Sequence, residues 1–458
     1  MINDTIAGIA TALGEGGVGI IRVSGQRAVH IVDSIFRGKQ KLSTVASHTV
    51  TYGHVVDKDD HMIDEVLVPV FHKPRSYTME DVVEIHCHGG IMPVRKVLEA
   101  VLDAGARLAE PGEFTKRAFI NGRIDLSQAE AIMDLIRAKT DLSMQAAMSQ
   151  INGSISKQVR DMRQSLLELI AHIEVTIDYP EHDVEEVTRE QVLTTSQDVL
   201  NSVEQLLSNS EQGKILREGI SAAIIGRPNV GKSSLLNALL HENRAIVTDI
   251  PGTTRDLLEE YINVRGIAVR IMDTAGIRTT EDIVEQIGVE RSRKALEEAD
   301  LVLLMLNTAE SLSEYDKELM QAIAGKKAII LLNKMDLASA FSVEELQQYI
   351  AYPIPIISIS ALHEQGIELL YNEIERLFIN ESFRNSDFSF VTNQRHIALL
   401  KSAKASIGDA IAGAENDLPI DIVAIDIRNS WETLGEILGE SLGEGIIDQL
   451  FSQFCLGK

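Results

Sequence analysis

The chain has 458 residues, 45% of them hydrophobic, and sets 43 Lys and Arg against 68 Asp and Glu for a net charge of −25. A protein this acidic grips a phosphate backbone poorly by itself, so a nucleic-acid substrate calls for a local basic patch or a basic partner. No run approaches the ~18–20 apolar residues of a membrane span, no secretory signal opens the sequence, and two cysteines, Cys87 and Cys455, make no disulfide framework; a cytoplasmic protein without a membrane anchor is expected.

The first 120 residues mix short β-like runs (19–23, 65–70, 81–86) with turns and one helical stretch at 91–104, which predicts a compact α+β domain. Gly14-Glu15-Gly16-Gly17-Val18-Gly19 matches the dinucleotide fingerprint but precedes a β-like run instead of opening a helix, so we read it as a turn-rich loop entering a strand. In His86-Cys87-His88 the two imidazoles fall on one strand face and the thiol on the other. No matching cluster completes a four-ligand zinc site, so structural or ligand-contact roles are favoured over a metal. Over 121–216 glycine nearly vanishes and two or three long helices are expected, with Ile132, Leu135 and Ile136 on one apolar stripe and Leu166, Leu167, Ile170 and Ile173 on another. Strands alternate with helices over 217–380, with candidate strands at 222–225, 268–272, 301–306, 328–332 and 355–358. The segment 381–458 is helical again, so an α/β domain inserted into a helical one is the simplest arrangement.

The inserted segment carries the chemistry. Gly226-Arg227-Pro228-Asn229-Val230-Gly231-Lys232-Ser233 follows a strand and opens a helix beginning with Ser234, as a phosphate-binding loop requires. Its backbone N–H groups wrap the phosphates, Lys232 reaches the β- and γ-phosphates, and Ser233 ligates Mg2+. Thr248-Asp249-Ile250-Pro251-Gly252-Thr253-Thr254 supplies a switch threonine, Thr254, able to close on Mg2+ and the γ-phosphate. Asp273-Thr274-Ala275-Gly276 ends an apolar strand, with Asp273 of the type that holds Mg2+ through water. Asn333-Lys334-Met335-Asp336 offers a carboxylate to the guanine N1–H and N2–H2, which adenine cannot match, and Ser360-Ala361-Leu362 completes the base pocket. These motifs, in this order, predict a GTPase. Ile277 stands where a switch glutamine would orient the attacking water, so hydrolysis needs another residue, a partner or an ion. Asn229 either binds a monovalent cation beside the phosphates or caps the turn. The last residues, Phe454-Cys455-Leu456-Gly457-Lys458, set a thiol near an ammonium, either as a frayed end or as a functional cysteine.

With these motifs and Asp4-Thr5-Ile6-Ala7, Gly16–Gly25, Pro111–Phe119 and Asp125–Glu130 on the page, the chain closely resembles the MnmE (TrmE) family of tRNA-modification GTPases along its whole length. The resemblance implies a multidomain fold: an α+β folate-binding N-terminal domain that forms a homodimer, a discontinuous all-α helical domain, and an inserted α/β P-loop GTPase domain. It implies a one-carbon tetrahydrofolate, seen as the 5-formyl derivative, held by Arg22, Glu84, Arg123 and Lys458. The basic groups suit the glutamate carboxylates and Glu84 suits the amino-pyrimidine edge; relatives can have Lys at the Arg123 position. It implies K+ bound through Asn229, Thr248, Ile250 and Thr253, with GTPase domains pairing across the dimer and no separate activating or exchange factor. Glu285 is a candidate for positioning water and Cys455 for the modification chemistry. The implied partner is the flavoprotein MnmG (GidA), in a heterotetramer, carrying FAD and using NADH and holding most of the tRNA; the pair installs aminomethyl or carboxymethylaminomethyl groups at C5 of the wobble uridine. Met79 departs from the glycine common in relatives, at a position with none of the implied contacts. The alternatives are a ribosome-assembly GTPase without modification chemistry, though no appended basic RNA-binding module is apparent, and a free-standing folate aminomethyltransferase with a regulatory switch.

Overall fold

The computed structural model describes residues 4–178, 189–243, 261–272, 296–350, 352–379, 390–454 and 457. Strands β1 (Ile6–Ile9), β2 (Gly16–Ser24), β3 (Phe36–Gly38), β4 (Thr49–Val56), β5 (Met62–Phe71), β6 (Val82–Gly89) and β7 (Arg107–Leu108) form one sheet in the order β3-β4-β5-β6-β2-β1-β7. All neighbours are antiparallel except β1 and β7. Helices α1 (Ala28–Ile35) and α2 (Ile91–Asp103) bury one face, where alternate strand residues such as Val83, Ile85 and Cys87 meet Val32, Val97 and Val101. On the other face Val50, Tyr52 and Leu67 are 61%, 58% and 47% exposed, with Tyr52 directly across from Leu67. Helix α3 (Glu113–Ile120) follows β7.

Among the described residues five helices follow, two of them long: α4 (Leu126–Arg137), α5 (Asp141–Ile151), α6 (Ser154–Asp178), α7 (Arg189–Ser208) and α8 (Ser210–Glu218). Capping boxes at Asp125/Gln128 and Thr140/Ser143 start α4 and α5, dividing what apolar spacing presents as continuous. The second expected stripe is buried at Leu166, Ile170 and Ile173, but Leu167 is 44% exposed. The first stripe is not the buried face: Ile136 is 40% exposed, and α4 buries Leu126, Ala129, Glu130 and Met133 instead. Glu130 turns the helix, because its carboxylate is held inside by Arg395 (2.8 Å) and the fully buried His396 (2.7 Å).

The inserted sheet comprises β8 (Ile220–Ile225), β9 (Tyr261–Val264), β10 (Ile267–Met272), β11 (Leu301–Asn307), β12 (Ala328–Asn333) and β13 (Ile356–Ser358), in the order β13-β12-β11-β8-β10-β9. It is parallel except for β9, a strand the sequence pattern did not reveal, which runs antiparallel to β10. Helices α9 (Lys232–Asn243), α10 (Glu314–Ala322), α11 (Val343–Gln347) and α12 (Ile367–Phe378) accompany it. Strands β8, β11 and β12 are buried along their whole length, as strands covered on both faces must be. The chain returns through α13 (Gln394–Glu415), α14 (Ile420–Leu438) and α15 (Glu444–Phe451). Leu400, Ile407, Ile427 and Leu434 from α13 and α14 share one core with Leu166, Ile173, Val199 and Val203 from α6 and α7, so the helical unit is assembled from both sides of the insertion. No helix among the described residues is long and apolar enough to cross a membrane.

Burial pushes the Glu130 carboxyl up, but His396 and Arg395 outweigh it and hold it at about 2. Its stabilisation is therefore complete above the ordinary value of 4.5 and is lost as pH falls from there toward about 2. Glu130→Gln, which takes the carboxylate away from the half-buried Arg395 and the buried His396, is expected to cost about 3 kcal/mol in urea unfolding at neutral pH, with the gap to the wild type closing through that acid window.

Candidate functional site

The phosphate loop leaves the end of β8 and its shape is set by contacts that admit no side chain. Gly226 has φ +149°, and a Cβ there would lie 2.4 Å from the Met305 carbonyl oxygen; Gly231 has φ +102°, and its Cβ would lie 2.2 Å from Asn333 Nδ2. Val230 is buried between them and anchors the loop. The loop feeds directly into α9, whose first turn presents exposed Ser233 and Ser234 and its unpaired N–H groups, a favourable place for anions. Lys232 donates to the carbonyls of Gly226 and Arg227, both at 2.8 Å, and burial pushes its pKa down. Asn229 is exposed in the left-handed region at φ +62°; its amide bonds to none of the described residues, so it does not cap the turn.

The ends of β11, β12 and β13 bring the other half of the site to the same edge. Asn333 is 3% exposed and bridges two loops: its Nδ2 donates to the Val230 carbonyl (2.7 Å), and its Oδ1 accepts from Ala361 N–H (3.0 Å). It thus ties the phosphate loop to the Ser360-Ala361-Leu362 segment. Thr308 Oγ1 donates to the Asn333 and Lys334 carbonyls at 2.9 and 3.2 Å, bracing Lys334 in its left-handed conformation (φ +67°). Asp336 is exposed and accepts from Ser360 Oγ at 2.6 Å, a bond that holds its carboxyl below the usual range. Leu362, 77% exposed, lies in the following loop.

Arg227 is a site residue that motif reading left without a role. Its Nε lies 3.0 Å from the buried Asp316 carboxylate and its Nη2 3.3 Å from Glu310, which Asn307 holds at 2.6 Å. Asp316 is itself fixed by the Ser313 capping box at the start of α10, so the phosphate loop is moored to that helix. The local signal was the Ser313-x-x-Asp316 pattern; nothing local pointed from Asp316 to Arg227. Thr248, Asp249, Ile250, Pro251, Gly252, Thr253, Thr254, Asp273, Thr274, Ala275, Gly276 and Glu285 lie outside the described residues, as do Cys455 and Lys458.

A second site lies in the N-terminal sheet. Arg22 on β2 and Glu84 on β6 are register partners, and Arg22 Nε and Nη2 both reach Glu84 Oε1 at 2.9 Å. The Arg22 guanidinium also lies 5.1 Å from the Tyr77 ring centre and donates to the Gly457 carbonyl (3.3 Å), bringing the residue before Lys458 to this point. Arg123 covers the same ring at 4.7 Å and donates to the Tyr77 carbonyl. Glu84, Arg123, Tyr77, Phe71 and Met79 line a cleft of about 550 Å3. Arg22, Glu84 and Arg123, distant in sequence, thus meet around one aromatic ring. Met79, on the cleft wall, has φ +61°, a conformation that costs a non-glycine residue about 1–2 kcal/mol. Cys87 faces the opposite, buried side; burial and Asp64 push its thiol up to about 11. His86 and His88 are engaged by Glu84 and Asp64. Gly16 and Gly19 lie within β2, and a Cβ at Gly19 would come 2.2 Å from Val94, so that glycine serves helix-on-strand packing.

A family model described as the MnmE helical domain matches residues 126–455, and one described as the GTP-binding protein TrmE N-terminus matches residues 5–123. The chain is 58% identical over 459 aligned residues to the tRNA modification GTPase MnmE of Bacillus pumilus, covering 99% of this chain and 100% of that one. It is 56% identical, with the same coverage, to the protein of that name from Bacillus subtilis. Among solved structures it is similar to an Era variant of Aquifex aeolicus bound to GDP and aluminium fluoride: 27% identity, TM-score 0.28, 41% of this chain and 66% of that one.

Because Arg227 shapes backbone that meets phosphates alike before and during reaction, its loss should weaken binding more than turnover. Arg227→Ala is expected to lower affinity for GTP and GDP alike by about tenfold while kcat at saturation stays within about twofold, with Arg227→Lys intermediate. Fluorescent-nucleotide titration and steady-state hydrolysis on the same samples check both numbers.

Proposed function

This chain belongs to the MnmE family of tRNA modification GTPases, and from that premise we propose that it is the GTP-hydrolysing member of a complex that modifies C5 of the wobble uridine, holding a one-carbon folate in its N-terminal cleft. The phosphates take the N–H groups of the Gly226–Lys232 loop, and Lys232 exchanges its two carbonyl acceptors for β- and γ-phosphate oxygens. Asp336, already oriented by Ser360, retains lone pairs on both oxygens for the guanine N1–H and N2–H2. Ser233, exposed on the first turn of α9, fits a Mg2+ ligand, with Thr254 and Asp273 as its companions; the ion offsets phosphate charge when bound.

Asn229 is exposed and its amide bonds to none of the described residues, which supports the K+ assignment shared with Thr248, Ile250 and Thr253. Such an ion supplies positive charge where an activating arginine would otherwise stand. Glu285 is the candidate for orienting water and Cys455 for the modification step. The exposed Val50, Tyr52 and Leu67 face of the sheet supports a homodimer through this unit. The partner is the flavoprotein MnmG (GidA), which brings FAD and NADH; with a net charge of −25 on this chain, the partner holds most of the tRNA.

The observation that carries the folate assignment is the Arg22–Glu84 pair beside Tyr77: a half-buried carboxylate for the donor edge of a pterin, an aromatic wall, and cations for the glutamate. Calorimetric titration with 5-formyltetrahydrofolate is expected to show Glu84→Gln weakening binding by at least about tenfold without changing GTP hydrolysis. Equal affinities in the variant and wild type would rule out this role. For the cation, hydrolysis in K+ is expected to exceed that in Na+ at equal ionic strength by at least about tenfold, and Asn229→Ala to erase the difference. Equal wild-type rates in both salts would remove the ion from the mechanism while leaving the GTPase assignment intact.

A further inference from the structure

Several arginines of the N-terminal unit are engaged by carboxylates: Arg22 meets Glu84, Arg107 meets Asp4 and Glu113, and Arg117 meets Asp4, Glu80 and Glu113. Arg75 and Arg123, both exposed and both on the wall of the 550 Å3 cleft, are not. Among the described residues Arg123 rests over Tyr77 and donates only to its carbonyl, and the Arg75 guanidinium has no carboxylate partner. Lys73, exposed and equally unpaired among the described residues, lies just across Pro74.

The cleft is therefore graded. Val82, 2% exposed, and the Glu84 carboxylate, 17% exposed, form its inner end, Phe71 and Tyr77 its flank, and the uncompensated cations its outer rim. On a chain with a net charge of −25 such a rim is a local inversion of potential, suited to an anion arriving from solvent. A folate with one glutamate brings two carboxylates, fewer than the three cations of Lys73, Arg75 and Arg123. Each further γ-linked glutamate adds one more.

We propose that Arg75, with Lys73 and Arg123, binds the carboxylates of a γ-glutamyl tail, so that the ligand preferred by this cleft is a polyglutamylated folate. This rests on the folate assignment above. A ribose–phosphate backbone is the less favoured occupant, because two of the cations belong to the wall of the cleft itself.

The test is calorimetric titration of the full chain with 5-formyltetrahydrofolate carrying one or several γ-linked glutamates, at low and at roughly physiological salt. Lengthening the tail is expected to tighten binding by about fivefold at low salt, with the gain shrinking as salt rises. Arg75→Ala should abolish most of that gain and leave the monoglutamate affinity within about twofold, whereas Arg75→Lys should keep it. Equal wild-type affinities for both forms, or a gain that survives Arg75→Ala, would overturn the proposal while sparing the folate assignment. Binding of neither form would overturn the folate assignment, and the tail with it. Indifference to tail length combined with a raised KM for tRNA in Arg75→Ala would assign the rim to RNA instead.

Discussion

A single buried carboxylate, Glu130, stands where the separate helical segments of the chain must meet. It lies on α4, ahead of the GTPase insertion, and is gripped by Arg395 and His396 from α13, beyond it. Arg395 at the same time donates to the Glu436 and Ile437 carbonyls at the end of α14, satisfying groups that a helix C-terminus leaves open. One turn along α4, Asp134 takes Arg217 of α8, the helix that leads straight into β8. Four helices and the entrance to the GTPase sheet are therefore referred to one ionic cluster. Such clusters contribute less to net stability than to choosing one arrangement among several apolar packings of similar energy.

The return path is fixed as firmly. Gln150 Nε2 donates to both the Phe390 carbonyl and Thr392 Oγ1 at 2.9 Å, and a Cβ on Gly213 would lie 2.4 Å from the Val391 carbonyl oxygen. The two ends of the insertion are thus held side by side. The GTPase sheet joins this seam through the β9–β10 turn, where Gly266 approaches Leu142 of α5 so closely that a Cβ would lie 2.3 Å from it. That hairpin thus touches α5, which packs on α4, and α4 in turn packs on α3.

Much of this was legible in the residues, for reasons that differ from site to site. The phosphate loop was readable because its backbone admits nothing larger: Gly231 is dictated by Asn333, and Asn333 by the two loops it joins. The parallel strands were readable because β8, β11 and β12 are buried on both faces and hence continuously apolar. The face of α4 was misread because apolar spacing counts only apolar residues, while the interior there is taken by Glu130. The mooring of Arg227 on Asp316 was illegible because it is a tertiary contact between a loop and a distant helix start. Arg22, Glu84 and Arg123 became a site through resemblance; only the register of β2 against β6 explains why the first two touch.

The shared core of the helical unit also has a temporal side. Helices α6 and α7 emerge from synthesis long before α13 and α14, with the whole GTPase sheet made between them. Until Leu400, Ile407, Ile427 and Leu434 arrive, Leu166, Ile173, Val199 and Val203 have only each other's helices to pack against and lack the rest of their cover. A nascent chain therefore carries a half-built core while the inserted α/β unit folds on its own local contacts. That interval is when the chain is most prone to bind itself or a chaperone, and its length is set by the size of the insertion rather than by the stability of the finished fold.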